Sequence, residues 1–215
     1  MPLRSLIDGK EVIAPLLDED EWNRLKEAVR SKESVILLPC CQRSGFFRTS
    51  QLGTHHFVHK RKLDCDWKPE TAEHLKIKSE TVVACKNAGY GVSSEVSGSD
   101  WRADVLATKG SRKIAFEVQW SAQTLEETLD RQERYRRDGV RGCWLFRKIP
   151  NGLYDAPYEQ IDALIEAGKV VFGPPIGRKD LPLFELFWNS STSLPFIIVN
   201  GFVARRLWQT NGFLC

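Results

Sequence analysis

Nowhere does the 215-residue chain gather the roughly 20 consecutive apolar residues that a membrane-spanning helix requires, and no apolar segment of the signal-peptide kind follows Met1. No membrane association is expected, and the cytoplasm is the expected compartment. Internal repeats and low-complexity stretches are absent too, which removes repeat architectures from consideration. Charge of one sign is also lacking: the net charge is only +3, so any affinity for a polyanion must come from local clusters. Two such clusters exist, His55 to Lys62, which includes Lys60 and Arg61, and Arg131 to Arg141. Cysteine is sparse, with six residues of two kinds: Cys40, Cys41 and Cys65 lie near histidines, whereas Cys85, Cys143 and Cys215 are scattered. In a reducing compartment, cysteines grouped with histidines point to metal more than to disulfides.

What is present, 42% hydrophobic residues, suffices for one sizeable core with appendages. Four segments are readable. Residues 1 to 34 carry a hairpin from Leu6 to Ile13 around Asp8-Gly9 and a helix from Asp20 to Arg30. A small Cys/His segment occupies 35 to 66, and a core domain runs from 67 to 150. Residues 151 to 215 hold a short helix at Tyr158 to Ala167, the run Val170 to Phe172, and a tail rich in proline and aromatics. The tail has apolar bursts at Leu183 to Trp188 and Phe196 to Val199 and a helix-like stretch from Ala204 to Gln209. Frequent prolines argue against long elements there, and the aromatics need cover from the core or from a protein partner.

The core domain holds the informative pattern. Trp101 to Ala107 and Ile114 to Trp120, joined across Lys109-Gly110, read as a hairpin. Alternation puts Ile114, Phe116, Val118 and Trp120 on one face and Ala115, Glu117, Gln119 and Ser121 on the other, with Arg102, Asp104 and Leu106 sharing a face of the first strand. Alone, Asp104 and Glu117 would read as a solvated surface. Their context changes that reading: a helix from Pro69 to Ala84 and a strand near Tyr90 to Val96 precede them, and a helix from Ser121 to Arg137 and a strand from Val140 to Phe146 follow. Helix, three strands, helix, strand predicts a mixed sheet with its acids at a site. Glu70, His74 and Lys78, spaced by four, form one polar stripe if all three are helical. Glu95 is a further carboxylate beside the flexible Ser97-Gly98-Ser99.

This order resembles the PD-(D/E)XK nuclease core, with Asp104 on the second strand, Glu117-Val118-Gln119 on the third, and glutamine where lysine is usual. Within that superfamily the chain resembles the competence protein CoiA family. The motifs are Trp101 to Val105, Glu117-Val-Gln-Trp-Ser121, Arg131-Gln-Glu-Arg-Tyr135 and Cys143-Trp144-Leu145. Ahead of them, Glu70-Thr71-Ala-Glu-His74-Leu-Lys-Ile-Lys78 matches with threonine in place of serine, and Cys40-Cys41 through His56-Phe57-Val58-His59 matches the Cys-rich segment. Several spaced motifs over residues 39 to 147 are more specific than any one of them.

The resemblance implies an α/β (α+β) fold, a restriction-endonuclease-like core (αβββαβ, mixed central sheet flanked by helices), with a zinc-ribbon-like N-terminal Cys/His segment. It implies a metal-dependent nuclease hydrolysing phosphodiester bonds in DNA, with a role in DNA processing, recombination or competence. Asp104 and Glu117, with the Val118 carbonyl, would hold Mg2+ or Mn2+, since oxygen ligands favour those ions over zinc. Glu70, His74 and Lys78 complete the expected catalytic set, with Gln119 orienting water. A neutral amide cannot supply a lysine's charge, so Lys78, Arg102 or Arg131 would provide it. Arg102, Arg131, Lys60 and Arg61 are the expected DNA contacts. Zn2+ is expected among Cys40, Cys41, His56, His59 and Cys65; the family commonly spaces its first two cysteines as Cys-x2-Cys, so Cys65 is expected to replace one of the adjacent pair. His55 is the expected bystander, Cys143 a buried small residue, and Tyr135 a packing residue. The alternative is a catalytically inactive nuclease-fold protein that binds nucleic acid or assembles with partners.

Overall fold

Asp8-Gly9 is where the fold first turns back on itself, and both residues have left-handed backbones (φ 49° and 77°), as a two-residue hairpin turn demands. The turn joins β1 (Arg4–Ile7) to β2 (Lys10–Ile13), antiparallel with Ile7 opposite Lys10. The computed structural model describes residues 2–60, 65, 69–146, 171–173 and 196–199. Arg61, the expected helix at 158 to 167, and the stretches 183 to 188 and 204 to 209 lie outside them.

A short 3-10 turn, Ala14–Leu16, leads to α1 (Glu19–Arg30). The helix opens on a capping box in which Asp18 accepts the Glu21 N–H and the Glu21 side chain accepts the Asp18 N–H. Strands β3 (Ile36–Leu38), β4 (Arg43–Thr49) and β5 (His55–His59) follow, giving a five-stranded antiparallel sheet in the order β2-β1-β3-β4-β5. Trp22 of α1 fills its core with Ile7, Ile36, Leu38, Phe47 and Phe57. This sheet runs across residue 34, so the first hairpin and the Cys/His segment share one core.

The second unit begins at α2 (Ala72–Asn87) and continues through β6 (Gly91–Ser97), β7 (Arg102–Lys109), β8 (Arg112–Gln119), α3 (Leu125–Arg137) and β9 (Arg141–Phe146). Helix, three strands, helix, strand is the order expected from the sequence. β6, β7 and β8 form an antiparallel meander; α3 then crosses over so that β9 lies parallel to β8, with Trp144 opposite Glu117. Two distant strands, β10 (Val171–Gly173) and β11 (Phe196–Val199), extend the parallel part, and the six-stranded mixed sheet reads β10-β11-β9-β8-β7-β6.

Both faces of the β7–β9 part of this sheet are covered. On one, Leu75, Val82 and Cys85 of α2 pack on Val105, Ala107, Phe116 and Val118, joined by Leu3 and Ile13 from the N-terminal sheet. On the other, Tyr135 of α3 packs with Ala115, Val140 and Trp144. The hairpin face that carries Glu117, polar by alternation, is therefore roofed by α3 rather than wet. Cys143 is buried, as expected of a small core residue, and Tyr135 packs at 1% exposure.

Candidate active site

The site starts where the β7–β8 ladder ends. The last backbone pair is Val105 with Phe116; beyond it the Val118 N–H donates to Asp104 Oδ2 at 2.9 Å, a side chain standing in for the strand. The two strands are thus wedged apart at Asp104, whose carboxylate turns to α2 while Glu117 keeps its place under α3.

Helix α2 brings two groups to Asp104. Thr71 caps it, its hydroxyl accepting the His74 N–H at 3.2 Å, which puts His74 in the first turn and Lys78 one turn later. Glu70 consequently precedes the cap, and the stripe expected at 70, 74 and 78 is helical only at the last two. Glu70 still reaches the site, because Lys78 Nζ lies 2.9 Å from its Oε1. Lys78 shares the buried stripe of Leu75 and Val82 and is 0% exposed. An ammonium so placed needs charged partners. It has three: Glu70, Glu95 Oε1 at 2.9 Å and Asp104 Oδ1 at 3.4 Å. Burial pulls the Lys78 pKa down, but Glu95, Asp104 and Glu70 override it and raise it above the ordinary value. Burial likewise pushes Asp104 up, yet Lys78, His74 and the Val118 N–H hold it well below the usual carboxylate range.

His74 Nε2 is buried without a hydrogen-bond partner, and at 3.6 Å from Asp104 Oδ2 it is too distant for one. Its ring lies parallel to Trp120 with centroids 6.1 Å apart. Glu70, His74 and Asp104 each offer an atom within 4.8 Å of the others, so these three are spaced to hold one ion. Glu117 is not in that group.

Glu117 instead faces α3. Its Oε1 is hydrogen-bonded to the Tyr135 hydroxyl, and Arg131 pairs with its Oε2 at 3.0 Å. Burial, followed by the nearby Asp104 charge, pushes its carboxyl up to about 8 against the pull of Arg131 and Tyr135. Gln119 is engaged at both ends: its oxygen accepts from Arg131 at 3.2 Å and its amide donates to the Ser121 carbonyl and hydroxyl at 3.0 Å. Arg131 also donates to Gln123 at 2.9 Å and lies over the Trp144 ring at 4.5 Å.

Arg102 is exposed, and its carbonyl accepts the Tyr135 hydroxyl at 2.7 Å. With Arg131, Arg134, Trp101 and Tyr135 it lines an open pocket of about 310 Å3 on the α3 side. Two expected nucleic-acid contacts thus share one wall. Lys60 is exposed at the end of β5, far from them in sequence.

Sequence reading undervalued Glu95. It has a left-handed backbone (φ 51°) in mid-strand, a conformation that costs about 1 kcal/mol or more for a residue with a side chain. The register sets it opposite Asp104, between the pairs Ser94 with Val105 and Val96 with Ala103. No local sequence signal marks an inward-turned strand glutamate.

A second cluster lies in the N-terminal sheet. Cys40, Cys41, His59 and Cys65 offer ligand atoms within 4.8 Å of one another; Cys40 Sγ is 3.6 Å from Cys65 Sγ, 3.9 Å from Cys41 Sγ and 3.3 Å from His59 Nε2. The group includes Cys65 and both adjacent cysteines. Burial and the neighbouring Cys65 thiol push Cys40 up to about 12. His56 is not part of the cluster. Side chains alternate along a strand, so residues three apart face opposite ways; His56 is 1% exposed with Nδ1 3.0 Å from the Thr54 carbonyl, while His55 stacks on Trp22 at 4.1 Å.

The second unit thus combines a mixed sheet, a buried ammonium, an ion-spaced Glu/His/Asp group and a neighbouring arginine-lined pocket. Residues 70–151 match the model of the family described as competence protein CoiA, nuclease-like domain, and this segment is a CoiA-like domain. Every residue from Glu70 to Tyr135 discussed above lies inside the match; the Cys/His cluster lies outside it. Comparison with curated proteins and with solved structures found no match. Among the described residues, no helix is long and apolar enough to cross a membrane.

Proposed function

We propose that this protein is a metal-dependent nuclease of the PD-(D/E)XK type that hydrolyses phosphodiester bonds in DNA and serves DNA processing or recombination. The observation that carries the reading is Asp104 at the split between β7 and β8, held ionised by Lys78 within the CoiA-like segment. The donor set fits a divalent cation: two carboxylates and a buried imidazole nitrogen with no hydrogen-bond partner. Glu70, His74 and Asp104 would hold it, with Glu117 beside Asp104 on the other side. An imidazole donor favours Mn2+ over Mg2+, whereas carboxylates alone suit both. Bound there, the cation would act as a Lewis acid on the phosphate and lower the pKa of water.

The chain's own groups do the rest. Lys78 supplies the positive charge that Gln119 lacks, and Glu95 keeps that ammonium in place. Arg102, Arg131 and Arg134 receive the phosphate backbone at the pocket on the α3 side. The Glu117 carboxyl is pushed up to about 8, with the Asp104 charge among the causes, and a cation offsetting that charge would favour its carboxylate form.

Zn2+ is proposed at Cys40, Cys41, His59 and Cys65, where thiols and imidazole match its preferences. It would staple the β3–β4 turn to the end of β5.

The test incubates purified protein with single-stranded, duplex and branched DNA in Mg2+, Mn2+ or chelator, beside Asp104→Asn. That variant keeps an acceptor for the Val118 N–H but loses the charge. Cleavage should require the metal and fall at least about 100-fold in Asp104→Asn; undiminished cleavage by the variant would remove Asp104 from the mechanism. One observation favours the inactive reading, the commitment of the Gln119 amide to Arg131 and Ser121. Tight DNA binding without cleavage of any substrate would establish it.

A further inference from the structure

We infer that Glu95 is a positioning residue that couples the seating of the N-terminal sheet to the active-site ammonium of Lys78. The catalytic half of this statement rests on the nuclease reading; the coupling does not.

One oxygen carries the argument. Glu95 Oε1 accepts the backbone N–H of Leu3 at 3.1 Å and pairs with Lys78 Nζ at 2.9 Å. Its other oxygen accepts the Ser94 hydroxyl at 2.7 Å, and its backbone carbonyl accepts Arg4 Nη2 at 3.1 Å. Glu95 is 7% exposed, which leaves bulk water little access to either contact. Apolar packing reinforces the connection: Leu3, 0% exposed, lies in the same cluster as Leu75 and Val82, which flank Lys78 on α2. The N-terminal chain therefore docks at two layers, apolar against α2 and polar against Glu95.

The left-handed backbone at Glu95 is what aims the carboxylate inward. In ordinary extended geometry, strand residues alternate, and a carboxylate facing Asp104 across the register would face a like charge with no ammonium between them. Strained non-glycine backbone persists where surrounding contacts hold it, and here those contacts come from the N-terminal segment and from α2. If Leu3 leaves, Glu95 loses one of the two partners of Oε1; if Lys78 moves, the Leu3 docking site loses its charge balance. Thermodynamic coupling of this kind is reciprocal. An attached module, with its own Cys/His cluster, thus helps to set the position of the charge beside Asp104.

The experiment uses the full chain. Amide hydrogen exchange at Leu3 and DNA cleavage are measured for wild type, Glu95→Gln, Lys78→Met, Lys78→Arg and the control Glu11→Gln. Glu11 bridges the same sheets through Arg4 and Ser93 but does not touch Lys78. Glu95→Gln keeps an acceptor but loses its charge, and should speed Leu3 exchange about ten-fold. It should lower kcat about ten-fold while KM for DNA stays within about two-fold. Lys78→Met should also speed Leu3 exchange, and Lys78→Arg reports the same effect if the methionine variant does not fold. Glu11→Gln should leave kcat at the wild-type value. Wild-type Leu3 exchange in folded Glu95→Gln and Lys78→Arg overturns the coupling, whatever the cleavage result. Faster exchange with unchanged kcat overturns the positioning role, and a wild type that cleaves nothing overturns the nuclease reading while the exchange data still decide the coupling.

Discussion

At Glu117, burial and the charge of Asp104 prevail over the pull of Arg131 and Tyr135, and the carboxyl is pushed up from 4.5 to about 8. The sign of the consequence follows from proton counting. Between those values the folded protein keeps the Glu117 proton and the unfolded chain has lost it, so stability falls as pH rises through this window. Three histidines act in the opposite sense over part of it, because burial lowers the pKa of His55, His56 and His59. The difference between wild type and Glu117→Gln cancels them. In chelator, urea denaturation from pH 5 to 9 should show the variant gaining on wild type up to about pH 8 and then running parallel. Parallel curves throughout would refute a raised Glu117. The residue types at Asp104, Glu117 and Lys78 were legible as chemistry in the sequence, but their partners were not. Lys78 was legible as one member of a polar stripe with Glu70 and His74; its burial depends on carboxylates from three separate segments.

Helix α2 shows the same division among elements. Its presence followed from local pattern, but its start shifts from Pro69 to Ala72 because Thr71 takes the cap. Glu70 thereby leaves the helix and gains the freedom to approach Lys78 from the preceding chain. Thr71→Ala removes an acceptor worth about 1 kcal/mol, which for a chain of this size lowers Tm by about 2–4 °C. Thermal unfolding followed by circular dichroism checks it; an unchanged Tm would mean that the cap is not holding His74 and Lys78 in register. Strand alternation was equally legible, and it already separates His56 from His59. The wedge at Asp104 was not, since it depends on Val118 choosing a side chain over the neighbouring strand.

For the whole molecule, two sheets meet along Leu3, Ile13 and α2, and an ion-spaced cluster lies beside each. Elemental analysis of protein purified without chelator should find one zinc per chain, lost in Cys40→Ser and His59→Ala and retained in His56→Ala. Zinc lost equally from His56→Ala and His59→Ala would return His56 to the ligand set. The raised Cys40 thiol adds that metal loading releases protons and weakens as pH falls.

By itself the sequence determined the succession of elements in the CoiA-like segment, the Asp8-Gly9 hairpin, the acidic residues on β7 and β8 and the cysteine–histidine grouping. These depend on periods of two and of three to four residues and on turn chemistry, all readable within a few neighbours. Only the tertiary structure decided that β1 to β5 form one sheet across residue 34, that β11 lies beside β9, and that α3 roofs Glu117. It alone turned Glu95 inward between Leu3 and Lys78. Strand pairing and charge burial are settled by groups far apart in the chain, and no local pattern records which distant partner will neutralise a buried charge.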